Sequence, residues 1–268
     1  MKKKLLTRLG FGLFLWLVLL VMYLPIFILV VFSFSETRTI DFGNFEFGFG
    51  LYRELFQDQD IREAVINTVI IATISAFVAT IIGTMACVGI LRMKRRAKNA
   101  VMTLNQAPLV NADIVTSFSL VLFFVLLGFY DMGYFKLILA HTLICLPIVI
   151  LIVLPRMRAL DANLFEAAQD LGAKPMHALF SVVIPQLLPA MITAFLLGFT
   201  FSLDDFIITQ FNNDGVETIS TLVFGATRRG VPPVFRALST LMFASVIIVL
   251  IIVNIRLSKQ RKKEALDE

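Results

Sequence analysis

From residue 9 to residue 35 the chain carries no Asp, Glu, Lys or Arg. About 20 consecutive apolar residues in a helix cross the roughly 30 Å hydrocarbon core of a bilayer, and this run exceeds that length. Five further stretches follow. Residues 64–91, 137–155 and 237–255 are uncharged, and residues 99–130 contain only Asp113. Residues 175–213 contain only His177, Asp204 and Asp205, and their first ten residues are expected outside the membrane. The bilayer core offers no water, so backbone N–H and C=O groups must pair within the segment, and each stretch is predicted to be a helix. The expectation is an all-α integral membrane protein with six transmembrane helices. Composition agrees: charged residues are 16% of the 268 and hydrophobic residues 58%, whereas soluble domains carry about 25% charge.

Lys2, Lys3, Lys4 and Arg8 precede the first run as they would precede a cleaved signal. That run is longer than the 7–15 residues of a signal's apolar region, so an uncleaved first helix is expected. The remaining basic residues give the orientation. Those at the N-terminus, in the cluster Arg92 to Lys98, at Arg156, Arg158 and Lys174, and from Arg256 to Lys263 make seventeen of the 24 and share one side. Arg38, Arg53, Arg62, Lys136, Arg228, Arg229 and Arg236 fall on the other. The positive-inside rule then places both termini in the cytoplasm. The net charge of +5 is a topology signal and gives nucleic-acid binding no support.

The expected organisation is a first helix with its outer loop (1–63), a core of five helices (64–257) with a cytoplasmic loop at 156–185, and a cytoplasmic tail (258–268). The outer loop at 36–63 alternates aromatic residues with Gly from Asp41 to Gly50. This pattern suits an aromatic belt on the outer surface or part of an entrance. Cys87 and Cys145 lie deep in apolar runs and fit neither a disulfide framework nor a zinc site. His141 and His177 are isolated in sequence and read as packed or interfacial residues. No catalytic or metal-ligating set emerges, and the chain is not expected to be an enzyme.

The loop at 156–185 is too long and too patterned for a connector. Asn163 can cap a helix, with Glu166 three residues on as in a capping box. Phe165, Ala168 and Leu171 recur at helical spacing, and Glu166 and Asp170 sit one turn apart on another face. Gly172 is placed to end this helix, and Pro175 to open a second segment. Two short helices at an angle, with small exposed side chains, suit close docking of another cytoplasmic protein.

Glu166-Ala167-Ala168, then Gly172, then Val182-Val183-Ile184-Pro185 resemble the EAA signature of ATP-binding-cassette (ABC) importer permeases. That signature reads E-A-A, three residues, Gly, nine residues, I-x-L-P; Val and Ile stand here for Ile and Leu. The resemblance covers roughly residues 10–257. The segments His141 to Pro147, Leu164 to Ala173, and Phe201 to Phe206 look like those of PotC-type spermidine/putrescine permeases. It implies a type I importer fold in a bacterial inner membrane. It also implies a second, PotB-like permease completing the pore, two cytosolic ATPase subunits docked on the EAA loops, and an extracytoplasmic binding protein that delivers polyamine. The chain has no G-x-x-x-x-G-K-[ST] phosphate loop. It is expected to bind no cofactor, with ATP and Mg held on the partner ATPase.

Ionisable residues near the bilayer centre cost about 2.5–3.5 kcal/mol and therefore face a cavity or a partner. On a continuous third helix, Asp113 lies past mid-membrane, in one polar stripe with Thr116 and Ser117. Ser202, Asp205 and Thr209 form a second stripe by the same spacing, while Asp204 points about 100° away and pairs with Thr200. Polyamines carry ammonium groups that need anionic partners once dehydrated, and carboxylates on two helices can meet separate amines. Asp113, Asp204, Asp205, Ser202 and Thr209 are thus candidate pathway residues. The alternatives are pairing with a partner permease and, for Asp204, capping where the fifth helix breaks. Another solute of the same family (ferric iron, a phosphonate, thiamine or molybdate) and an ion-coupled secondary transporter are competing functions. Membrane acids favour a cation, and no internal half-repeat of the secondary-transporter kind is present.

Overall fold

The computed structural model describes residues 2–248 and residue 251. In chain order its helices are α1 (Lys2–Ser33), α2 (Gly50–Gln57), α3 (Gln59–Arg92), α4 (Arg95–Val110), α5 (Asp113–Leu126), α6 (Tyr134–Arg158), α7 (Ala162–Asp170), α8 (Pro175–Ala178), α9 (Ile184–Asp204), α10 (Ile207–Asn212) and α11 (Ile219–Arg229). A last apolar helix, α12, covers Val234–Ile248. A π-helical turn, Leu179–Val183, joins α8 to α9.

Four helical stretches are long and apolar enough to cross a membrane: Gly12–Ser33, Gln59–Arg92, Tyr134–Arg158 and Pro175–Asp204. A fifth candidate is the pair α4 and α5, which meet at 111°. The uninterrupted third helix expected over 99–130 is therefore corrected. Pro108 lies in the last turn of α4, and Asn111 and Ala112 are extended, with ψ 153° and 135°. Neither can continue a helix, so the chain turns there. The sixth expected span, 237–255, is helical as far as Ile248. Its remainder from 249 on, residue 251 aside, and the tail at 258–268 lie outside the described residues.

The chain divides into two compact units, residues 1–62 with 225–268, and residues 63–224. In the first unit, α1 has an apolar surface with none of its spanning window buried. The segment after it folds back on itself. The Glu36 N–H donates to the Glu46 carbonyl (2.9 Å) and the Gly48 N–H to the Phe34 carbonyl (2.8 Å). Gly48 leaves room for the Glu36 side chain, which a Cβ there would push aside. Phe32 meets the rings of Phe42 and Phe45 edge-on, and Phe34 packs against Phe47, Phe49 and Tyr52 at 5.2–6.1 Å. The Gly-aromatic alternation of the outer loop thus builds a cluster of rings that stays largely exposed. Arg236 donates to the carbonyls of Thr37 and Arg38 and ties this loop to α12.

The second unit is organised around α6, more than half of whose spanning window is buried. This helix packs closely against α9. In lipid, apolar surface gives little drive for helix association, so close approach through small residues matters. Gly198 faces Cys145, whose thiol donates to the Gly198 carbonyl at 3.3 Å. A Cβ at Gly83 on α3 would come 2.6 Å from Val149 on α6. Both cysteines are buried free thiols. Lys136, at the start of α6, forms an ion pair with Asp214 at 2.8 Å.

Candidate functional site

Local backbone chemistry shapes the loop at 156–185 as expected, with one correction. Asp161 is the N-cap of α7, its Oδ1 accepting from the Asn163 N–H at 3.0 Å. The cap expected at Asn163 thus sits two residues earlier, because Asp161 can adopt the extended conformation (ψ 117°) while Asn163 is already helical. At the other end the Gly172 N–H donates to Gln169 (2.8 Å) and the Ala173 N–H to Ala168 (3.0 Å), the double bond pattern of a Schellman cap. Gly172 has φ +89°, which favours glycine. No atom lies within 4 Å of a Cβ built there, so its requirement is conformational rather than spatial. Lys174 is extended and Pro175 opens α8.

Pro185 has no N–H to donate, and the turn before it widens into the π geometry, with the Ile184 N–H reaching back to the Leu179 carbonyl. The Gln186 amide donates to the Val182 carbonyl at 3.0 Å. Glu166, Ala167, Asp170, Gly172 and Pro185 are exposed, and Ala168 is half-buried. Leu171 is 90% exposed, an apolar side chain on a surface that invites a protein partner. Behind α7 a cavity of about 350 Å³, lined by Leu91, Met157, Phe165, Leu179 and Val183 among others, separates this loop from the ends of α3 and α6.

The candidate pathway residues gather at two helix breaks. Asp113 is the first residue of α5, exposed, just after the break at Asn111 and Ala112. Its depth is therefore not set by helical rise from residue 99, as a continuous helix would require. Thr116 and Ser117 do share its stripe. Ser117 is buried and donates to the Ile207 carbonyl (3.3 Å), and the Thr116 hydroxyl oxygen is buried with no hydrogen-bond partner among the described residues.

The second break lies between α9 and α10. Asp205 is extended (ψ 124°) and ends α9. Its carboxylate caps α10: Oδ2 accepts from the Thr209 N–H at 2.9 Å and the Thr209 hydroxyl at 3.2 Å, and Oδ1 from the Ile208 N–H at 3.4 Å. The capping weighed for Asp204 thus belongs to Asp205. Asp204 is exposed at the end of α9, and the Thr200 hydroxyl expected to meet it donates instead to the Leu196 carbonyl at 2.9 Å. The break is pinned further by the Ser220 hydroxyl, which donates to the Asp205 carbonyl at 2.8 Å.

Ser202, Asp205 and Thr209 were expected to align along one continuous helix. They do meet, but through a residue that sequence spacing left isolated. His141 on α6 is 1% exposed. Its Nδ1 lies 2.7 Å from Ser202 Oγ, and its Nε2 lies 3.0 Å from Thr209 Oγ1 and 3.8 Å from Asp205 Oδ2. The one signal for it was its place in the segment His141 to Pro147. Thr68, Thr218 and Ser220 complete the walls of a pocket too narrow for a water molecule. Among the described residues no group of three or more His, Cys, Asp or Glu could hold a metal ion.

The profile of the binding-protein-dependent transport system inner membrane component family matches residues 79–260, a range that includes the loop at 156–185 and both helix breaks. The chain belongs to this family. It is accordingly a permease subunit of an ABC transporter and a multi-pass inner-membrane protein. Over 85% of its length it is 37% identical to the putrescine transport system permease protein PotI of Escherichia coli strain K12, covering 83% of that protein. It is 34% identical over 85% of its length to the spermidine/putrescine transport system permease protein PotC of Haemophilus influenzae, covering 89% of it. Its fold is that of a chain in a bacterial ABC transporter that imports the acidic polysaccharide alginate, with a TM-score of 0.68 and 16% identity over 97% of this permease and 96% of that chain.

Proposed function

We propose that this permease forms half of the translocation pathway of an ATP-driven polyamine importer, taking putrescine or spermidine from an extracytoplasmic binding protein. The observation that carries this reading is the likeness, over most of the chain, to permeases named for those two solutes. The exposed carboxylates Asp113 and Asp204 support it, since each offers an anionic partner for an ammonium group. Asp205, Ser202 and Thr209 hold the backbone of the pathway in shape. A second, PotB-like permease completes the pore, and both termini lie in the cytoplasm.

The exposed face of α7 and its Gly172 turn seats one of two cytosolic ATPase subunits, which bind the ATP and Mg that this chain does not. Closure of the ATPases on ATP pushes α7 and α8, and the helical join through the π turn carries the movement into α9. Alternating access follows when α9 shifts the second break.

The test uses the assembled complex in lipid, with binding protein loaded with putrescine, spermidine, ferric iron or molybdate. Polyamine is expected to stimulate ATP hydrolysis and to be taken up; stimulation by another solute alone would refute the polyamine assignment. Gly172→Asn, which tolerates the left-handed backbone, is expected to keep ATPase binding. Gly172→Arg is expected to insert in the membrane but lose both the ATPase and uptake. Full uptake by the arginine variant would overturn the docking assignment.

A further inference from the structure

His141 is buried on the most enclosed helix of its unit, and both of its ring nitrogens are engaged. The protons along this chain of bonds can be assigned. A carboxylate only accepts, and the Thr209 hydroxyl has one hydrogen to give. Three acceptors lie within reach, His141 Nε2 at 3.0 Å, Asp205 Oδ2 at 3.2 Å and the Asp205 carbonyl at 3.3 Å, and a bond to the charged carboxylate is the strongest of them. With that hydrogen on Asp205, Thr209 Oγ1 accepts from His141, which then carries its proton on Nε2. Nδ1 is left with a lone pair, and the Ser202 hydroxyl donates to it at 2.7 Å. The order Ser202 to His141 to Thr209 to Asp205 uses each hydroxyl hydrogen once. It links the last turn of α9, the first third of α6 and the first turn of α10.

We propose that His141 is the positioning residue of the second helix break: by bonding Ser202 before the break and Thr209 after it, it fixes the angle at which Asp205 ends α9 and so presents Asp204 outward to the passing cation. This assignment rests on the pathway reading of that break. It differs from plain filling of a core position, because an apolar ring of similar size would occupy the space yet bond neither hydroxyl. Oδ2 of Asp205 is saturated by Thr209, so Asp205 acts here on the backbone and Asp204 on the solute.

The experiment compares His141→Phe, His141→Gln, Thr209→Val and the Phe/Val double variant in the full reconstituted complex. Initial uptake is measured against solute concentration and normalised to assembled complex. His141→Phe is expected to lower the maximal rate at least tenfold with KM unchanged, since KM reports delivery by the binding protein. His141→Gln can donate toward Thr209 and accept from Ser202, and is expected to stay within about threefold of the parent. Thr209→Val is expected to match the Phe variant, and the double variant to be no worse than either, because both cut one chain of bonds. A wild-type rate for His141→Phe, no rescue by Gln, or multiplying losses in the double variant would each overturn the assignment. Where His141→Phe does not assemble, Ser202→Ala and Thr209→Val break the same two bonds with little volume change, and wild-type rates in both would overturn it. A parent complex that imports a different solute refutes the polyamine reading alone, and the same variants are then scored with that solute.

Discussion

At the first break, between α4 and α5, two extended residues separate the helices and the acid comes after them: Asp113 is already helical and faces outward. At the second, between α9 and α10, the acid is the extended residue itself. Asp205 folds its carboxylate over the next helix and is enclosed by Thr209, Ser220 and His141. The first break is made by local backbone preference, with Pro108 and Asn111 close by. The second is made by tertiary hydrogen bonds from α6 and α11. An acid that follows a break is free for a ligand, whereas an acid that forms the break is spent on the backbone.

The largest effect that tests this contrast is on stability. Asp205→Ala removes the cap of α10 and strands the buried Thr209 N–H, and is expected to destabilise the protein by about 2–4 kcal/mol. Asp113→Ala removes an exposed carboxylate from a first helical turn, where it offsets the helix dipole. It is expected to cost no more than about 0.5 kcal/mol. Thermal unfolding of the purified complexes in detergent measures both. Equal losses would mean that the two breaks are built alike.

The next effect is on transport. Asp204→Asn keeps the shape of an exposed side chain and is expected to leave stability within about 0.5 kcal/mol. If Asp204 meets a dehydrated ammonium, uptake per assembled complex should fall about tenfold, the equivalent of roughly 1.4 kcal/mol. An unchanged rate would move the solute contact to Asp113 or to the partner permease.

The sequence and the structure agree best where the controlling chemistry is local. The Schellman turn at Gly172 and the helix start at Pro175 depend on one residue's φ and one missing N–H, and both were legible from residue type alone. The apolar spans were legible because lipid imposes length and composition. The α4–α5 turn was half-legible: Pro108 and Asn111 were visible, but a proline is equally compatible with a kink, and only the extended Asn111 and Ala112 decide for a 111° turn. A break of the fifth helix beside Asp204 was legible as an alternative, but the bonding of Asp205 that makes it was not. It depends on His141, which is more than 60 residues away in sequence and bonded across two helices. Helical periodicity grouped Ser202, Asp205 and Thr209 correctly for a reason that does not hold, since the helix on which they were aligned ends between them.

The smallest effect concerns the first break alone. Ala112 has φ −62° and ψ 135°, and Asn111 before it is extended at φ −71° and ψ 153°. Proline requires φ near −65° and an extended residue before it, so Ala112→Pro fits this backbone without strain. The substitution narrows the unfolded chain and is expected to stabilise the protein by about 0.4–1 kcal/mol. No equivalent exists at the second break, where Phe206 has φ −106° and its ring packs on Phe224 at 4.3 Å. A higher unfolding temperature for Ala112→Pro with uptake retained means that the turn is a fixed part of the pathway. A higher temperature with uptake lost means that the turn must straighten during transport, and a lower temperature means that residues 111 and 112 are not held extended.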